Sequence, residues 1–294
     1  MTKLIFGCGY LGQRVARRWR DLGHLVVVVT RHDPRARSLA LEGFSPLVAD
    51  VLRPETLVHL PAADSVLYAV GFDATAGASA ENVFVGGLRN VLQALPAQTH
   101  KFIYISSTGV YGQSQGEWVD ETSPCRPERE RARACLAAEE LLAAHPLGAR
   151  AITLRLAGLY GPGRIPNATQ IQRGQPITAV RDGFLNLIHV DDAVEIVLAA
   201  EGRARVPRTY LVSDGNPVER GAYYDELARR LHAPAPQILA PPADSPAAAR
   251  ASSDKRVKNA RMVAELGVAL RYPSYREGLA AIVAAESTPP AAGP

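Results

Sequence analysis

The sequence predicts an α/β fold built on a doubly wound parallel sheet, and three observations carry that expectation. A short apolar run, Leu4-Ile5-Phe6, leads into Gly7-Cys8-Gly9-Tyr10-Leu11-Gly12, and a helix-like segment follows from Gln13 to Leu22. A second run, Leu25-Val26-Val27-Val28-Val29, is wholly apolar and mostly β-branched, as in a strand buried on both faces. Strand-like and helix-like segments then keep alternating, which requires right-handed crossovers between parallel strands.

The first turn reads G-x-G-x-x-G, and each glycine has a physical reason. Gly7 permits the tight turn off the strand. Gly9 lacks a Cβ, so a pyrophosphate can lie against the backbone. Gly12 lets the helix pack close to the strand. The helix N-terminus offers free N–H groups and a partial positive charge to phosphates. A dinucleotide is therefore the expected ligand.

The loop after the second strand meets the adenosine ribose in such folds. A carboxylate there favours NAD, and an arginine accommodates the 2′-phosphate of NADP. This chain has Thr30 and Arg31, with no carboxylate until Asp33, so NADP is preferred over NAD. The third strand is expected at 46–51. Asp50 at its end either accepts from the adenine amino group or caps a helix over 54–60. The fourth strand is expected at 65–71 and ends in small residues, and a helix spans about 81–95. The fifth strand, 101–105, runs into Ser106-Ser107-Thr108-Gly109-Val110-Tyr111-Gly112 at the carboxyl end of the sheet, where ligands sit. A strong helix is expected over 128–144, a sixth strand over 151–156 and a late strand over 209–213. Asp191 or Asp192 is a natural N-cap for the helix that follows Asn186–Val190. The proline-rich stretch 234–253 reads as an irregular loop, 256–266 as a helix and 287–294 as a flexible tail.

Composition narrows the class. The 294 residues are 47% apolar and 21% charged, as in a globular protein. No run of about 18 apolar residues exists, so no membrane span is expected. The first strand begins at Lys3, which leaves no room for a signal peptide, and Cys8, Cys125 and Cys135 have no paired spacing. Together these point to the reducing cytoplasm and to neither a disulfide framework nor a metal site. The net charge of +4 is scattered along the chain, so no nucleic-acid stripe is expected.

On GCGYLG at 7–12, SSTGVYG at 106–112, LRLAGLYGPGR at 154–164, LIHVDDA at 187–193, YLVSDG at 210–215, KRVKNARMVAELG at 255–267 and YPSYREGL at 272–279, the chain resembles an extended short-chain dehydrogenase/reductase of the NAD-dependent epimerase/dehydratase type. The resemblance covers nearly the whole length. It implies a seven-stranded Rossmann core over 1–165, completed by about 186–213, with a substrate lobe from 166–185 and 214–286. It implies a nucleotide sugar or a small carbonyl or polyol as substrate. It also implies a homodimer formed by the helices near 81–95 and 128–144. By that resemblance Gly7, Gly9, Leu11 and Gly12 hold the pyrophosphate, with Tyr10 beside them. Thr30 and Arg31 meet the ribose, Asp50 and Val51 the adenine, while Val70, Gly71, Ser106 and Leu159 line the rest of the cofactor.

The departures bear on the chemistry. The family uses a Tyr-x-x-x-Lys pair, in which the Lys lowers the pKa of a proton-transferring Tyr. Aligned on Leu136-Ala137-Ala138-Glu139, this chain has Arg131 at the Tyr position and Cys135 at the Lys position. No tyrosine lies between Tyr111 and Tyr160, so no realignment restores the pair. The glycine motif is also shorter than the family's T-G-x-x-G-x-x-G.

The remaining catalytic candidates are Thr108, Tyr111 and Arg131. Thr108 aligns with the family's carbonyl-binding Ser or Thr; its plainer role is a strand-end hydroxyl bonding local backbone. Tyr111 usually packs under the loop in the family. Arg131 would bind an anionic group but cannot exchange protons near neutral pH; its plainer role is a solvated residue in a charged run. Cys135 reads as a buried filler, His189 as packing for a helix start, and Asp120 or Glu121 as alternative carboxylate bases. Two readings follow: an enzyme with replaced proton-transfer machinery, or a non-catalytic NAD(P)-binding regulator or scaffold.

Overall fold

Phe6 and Tyr68 are paired at the ends of two adjacent parallel strands, and the loops that follow them pack against each other at Gly7 and Ala69. In the computed structural model, which describes residues 1–287, the first half runs β1 (Thr2–Phe6), α1 (Gly12–Asp21), β2 (Leu25–Thr30), α2 (Asp33–Leu41), β3 (Ser45–Val48), β4 (Ser65–Tyr68), α3 (Gly87–Ala94) and β5 (Lys101–Ser107). It continues through β6 (Ser114–Val119), α4 (Glu130–Ala144), β7 (Ala151–Leu156), β8 (Gly158–Tyr160), α5 (Ala168–Gln172) and α6 (Val190–Arg203). The main sheet has seven strands, all parallel, in the order Arg208–Val212, β7, β5, β4, β1, β2, β3. Chain order reverses between β1 and β4, and the crevice opens at that switch point.

The alternation of side chains sends the sheet's apolar residues to two cores. Leu4, Phe6, Val66, Tyr68, Phe102 and Tyr104 face α3 and α4. Ile5, Val28, Leu67, Ile103 and Leu154 face α1 and α6. Helix α1 buries Val15, Ala16 and Trp19 on one face and turns Arg17 and Arg18 to solvent. The Trp19 indole donates to Glu201 Oε2 at 2.8 Å, which ties α1 to α6. A third core, including Ile171, Ile177, Leu227, Leu279 and Ile282, lies in the later part of the chain.

Several local expectations shift. The helix near 81–95 opens with a π-helical turn, Asn82–Gly86, before α3. The segment 54–60 forms only a 3-10 turn, Pro54–Thr56. The loop 234–253 contains the short strand Ile238–Leu239, paired with Ile177–Thr178, and the helix Pro246–Ala251. The helix expected over 256–266 starts at Ala260, because Asp254–Val257 is a strand paired with β6. That strand and helix return to the main sheet, where Val257 joins one core and Met262 and Leu266 the other. The tail expected at 287–294 lies, beyond Ser287, outside the described residues. No described helix is long and apolar enough to cross a membrane.

Candidate active site

The glycine turn between β1 and α1 is set by close backbone packing. Gly7 has φ +86°, and a Cβ there would stand 2.3 Å from the Ala69 carbonyl oxygen of the facing loop. A Cβ on Gly12 would stand 2.3 Å from the Gly7 carbonyl oxygen. Gly9 differs: nothing lies within 4 Å of the place its Cβ would take. The turn is thus locked from below and open above. Leu11, which precedes α1, makes no side-chain cap, and the Gln13 N–H donates to the Gly9 carbonyl at 2.9 Å, so the helix axis begins directly behind the glycine turn with its N-terminal end toward the cleft. An open glycine before a helix N-terminus fits a dinucleotide pyrophosphate.

Two cavities share this turn. One, of about 340 Å³, holds Thr30, Arg31, Asp50 and Val51 at the ends of β2 and β3. The other, of about 610 Å³, holds Tyr10, Ser106, Ser107, Arg131, Leu159 and Arg164. Gly7, Gly9, Val70 and Gly71 line both. All thirteen residues expected around the cofactor therefore border one cavity or the other. Asp50 serves a local role as well: its Oδ1 accepts from the Leu52 N–H at 2.9 Å, in a turn that leads to the Pro54–Thr56 helix.

The three catalytic candidates separate. Arg131 lines the larger cavity, its guanidinium 5.7 Å from the Phe72 ring centre and 5.9 Å from that of Phe84. Thr108 does not line it. Strand β5 ends at Ser107, and a 3-10 turn, Thr108–Val110, tucks the Thr108 hydroxyl inward to donate to the Leu156 carbonyl at 3.4 Å. Tyr111 is 1% exposed, and its phenol oxygen accepts from Arg155 Nη1 at 2.6 Å. Burial raises the phenol's pKa well above its ordinary value, against the opposing pull of Arg155. Tyr111 is thus a core residue below the cleft.

Ser107 takes the place expected of Thr108. It lines the cavity, and its Oγ accepts from the Gly109 N–H at 3.0 Å, which leaves its own proton for another acceptor. Arg129 also borders this cavity. A Cβ at Gly109 would meet Arg129 Nη2 and Ser107 Oγ, each at 3.2 Å, so the glycine makes room for both side chains. Sequence alignment on the strand end alone could not choose between the adjacent hydroxyls, since a one-residue shift changes the face. Cys135 borders the cavity too, and burial pushes its thiol up to about 11, so it stays protonated.

The other candidates have structural work. The His189 Nδ1 accepts from the Asp191 N–H at 3.2 Å, so His189 caps α6, and its ring packs against Tyr160 and Tyr272. This corrects the expectation of an aspartate cap: Asp192 instead accepts from the Arg271 and Tyr272 N–H groups at 2.8 and 2.9 Å. Asp120 Oδ1 closes a turn on the Thr122 N–H, and Glu121 Oε1 accepts from the Leu211 N–H at 3.0 Å. The buried Lys255 donates to the Tyr111 carbonyl at 2.9 Å and borders neither cavity. Burial lowers its pKa to about 8.

Similarity to known proteins agrees with this geometry. A solved structure of a functionally unknown conserved protein from Silicibacter pomeroyi is 29% identical, with a TM-score of 0.81 over 98% of this chain and 99% of that one. A Methylobacillus flagellatus protein with an inferred NAD-dependent epimerase/dehydratase assignment is 33% identical, with a TM-score of 0.77 and the same coverage. UDP-glucose 4-epimerase from Thermotoga maritima, solved with UDP-glucose, shares the fold at a TM-score of 0.80 and 18% identity, over 97% of this chain and 98% of that one. Protein YeeZ of Escherichia coli K12 is 31% identical over 186 residues, and the match spans 61% of each chain. The sequence model of the NAD dependent epimerase/dehydratase family matches residues 4–213, and the chain belongs to that family.

Proposed function

We propose that the protein is an NADP-dependent oxidoreductase or epimerase acting on a nucleotide sugar or a small carbonyl or polyol, with Ser107 as its substrate-oxygen ligand and no Tyr/Lys proton relay. The observation that carries this reading is that Ser107, Leu159 and the glycine turn border one cavity. Gly7, Gly9, Gly12 and the N-terminal end of α1 would hold the pyrophosphate, and Thr30 with Arg31 the phosphorylated ribose. When bound, the nicotinamide supplies or accepts a hydride. Ser107 holds the substrate oxygen and donates its hydrogen bond to it as charge develops there. Arg131 orients the substrate through the paired N–H donors of its guanidinium. Protons are exchanged with water through Ser107.

The test begins with calorimetric titration of NADP and NAD, followed by a carbonyl and nucleotide-sugar panel read at the nicotinamide absorbance band. Ser107→Ala is expected to lower turnover by about 100-fold, the scale of losing one such hydrogen-bond donor. Thr108→Val is expected to leave turnover near wild type while lowering stability. Nucleotide binding without turnover across the panel would favour the regulator or scaffold instead. Failure to bind either nucleotide would end both readings.

A further inference from the structure

Resting on that reading, we propose that the reacting end of the cleft is an oxyanion subsite formed by Arg129 and Arg131, with Arg164 bordering the same cavity. The substrate then carries a carboxylate or phosphate group beside the carbon that reacts, rather than a neutral sugar ring. Three guanidiniums border the larger cavity, while no Asp or Glu does so among the described residues. Arg129 Nη2 and Ser107 Oγ each stand 3.2 Å from the place a Cβ on Gly109 would take, so a guanidinium and the substrate-oxygen ligand face the same gap over the bare glycine. Arg131 is exposed and rests against Phe72 and Phe84, and among the described residues it has no carboxylate partner. Arg164 is set against the Tyr10 ring at 5.3 Å. Guanidiniums recognise two-oxygen anions through paired N–H donors. An arginine in this place gives up proton transfer and gains charge recognition.

The charge also fits the altered chemistry. A neutral hexose is held by many hydroxyl contacts, whereas a small anionic carbonyl compound is positioned by one or two guanidiniums. Positioning by Arg131 would then replace part of what the tyrosine does elsewhere in the family.

The experiment uses the full chain saturated with NADP, so that the pyrophosphate cradle is filled. Malonate and inorganic phosphate are titrated by calorimetry, with chloride at matched ionic strength as the control. Saturable binding of malonate, phosphate or both is expected, and the tighter of the two names the substrate's anionic group. Arg131→Gln is expected to weaken that binding by about tenfold or more, the value of a charge-assisted hydrogen bond. Arg131→Lys should restore only part of it, and NADP affinity should not change. Arg131 is exposed, so these variants are expected to fold. Anion affinity that is the same in Arg131→Gln and wild type, or NADP affinity that falls in parallel with it, would overturn the subsite. If NADP binds and neither anion does, the subsite alone fails. If NADP does not bind, the proposed function itself fails.

Discussion

Gly12 sits so close to Gly7 that a methyl group on it would stand 2.3 Å from the Gly7 carbonyl oxygen, while a methyl group on Gly9, between them, would touch nothing. The two positions should therefore respond differently to alanine. Gly12→Ala must push the backbone apart and is expected to destabilise the fold by about 2 kcal/mol, in the range of overpacking. Gly9→Ala should leave thermal stability near wild type but weaken dinucleotide binding by about tenfold, because only the ligand's approach is blocked. Thermal melts with and without NADP separate the two effects.

Beneath the cleft, Glu139 Oε2 accepts from Arg155 Nη2 at 2.6 Å, and Arg155 also donates to Tyr111. The side chains are only 9% and 10% exposed. Glu139→Gln leaves the guanidinium buried without its counter-charge and is expected to cost about 3 kcal/mol in urea unfolding. The double variant with Arg155→Met should recover part of that loss, since both charges are then gone. An unchanged midpoint in the single variant would show that water reaches the pair.

Asp214 is buried in the loop after the strand Arg208–Val212, its Oδ1 accepting from the Asn216 N–H at 2.9 Å. Burial, aided by the nearby Asp192 and Glu277 charges, raises its carboxyl from an ordinary 3.8 to about 7. Between about pH 4 and 7 the folded chain therefore keeps a proton that the unfolded chain has released. Stability should fall as pH rises through that window and level off above it. Asp214→Asn retains the oxygen that accepts from Asn216 and removes the titration. Relative to wild type, it should gain roughly 2–4 kcal/mol between the acid and alkaline ends of the window. Parallel stability curves for the two proteins over the whole range would rule this out.

Arg31 borders the smaller cavity at the end of β2. If it receives the 2′-phosphate, Arg31→Ala should weaken NADP by about tenfold or more and leave NAD nearly unaffected, because only the former loses a charge-assisted hydrogen bond. Equal losses for the two nucleotides would point to a general electrostatic role instead.

The glycine spacing at 7–12, the β-branched run at 25–29 and the alternation of strands with helices were enough to determine a doubly wound parallel sheet with a glycine turn at its crevice, while the count of seven strands came with the family resemblance. These are local rules: a turn needs glycine where backbones touch, and a doubly covered strand needs apolar side chains throughout. Only the tertiary structure decided which of the adjacent Ser107 and Thr108 reaches the cleft, because the 3-10 turn after β5 tucks Thr108 against Leu156 of β7. It likewise turned His189 into a helix cap, sent Asp192 to the backbone of Arg271 and Tyr272, and brought Arg129 and Ser107 to the gap over Gly109. Each of these depends on a partner far along the chain or on the exact exit angle of a strand. A side chain's direction at such a place is fixed by packing, not by its own neighbours in sequence.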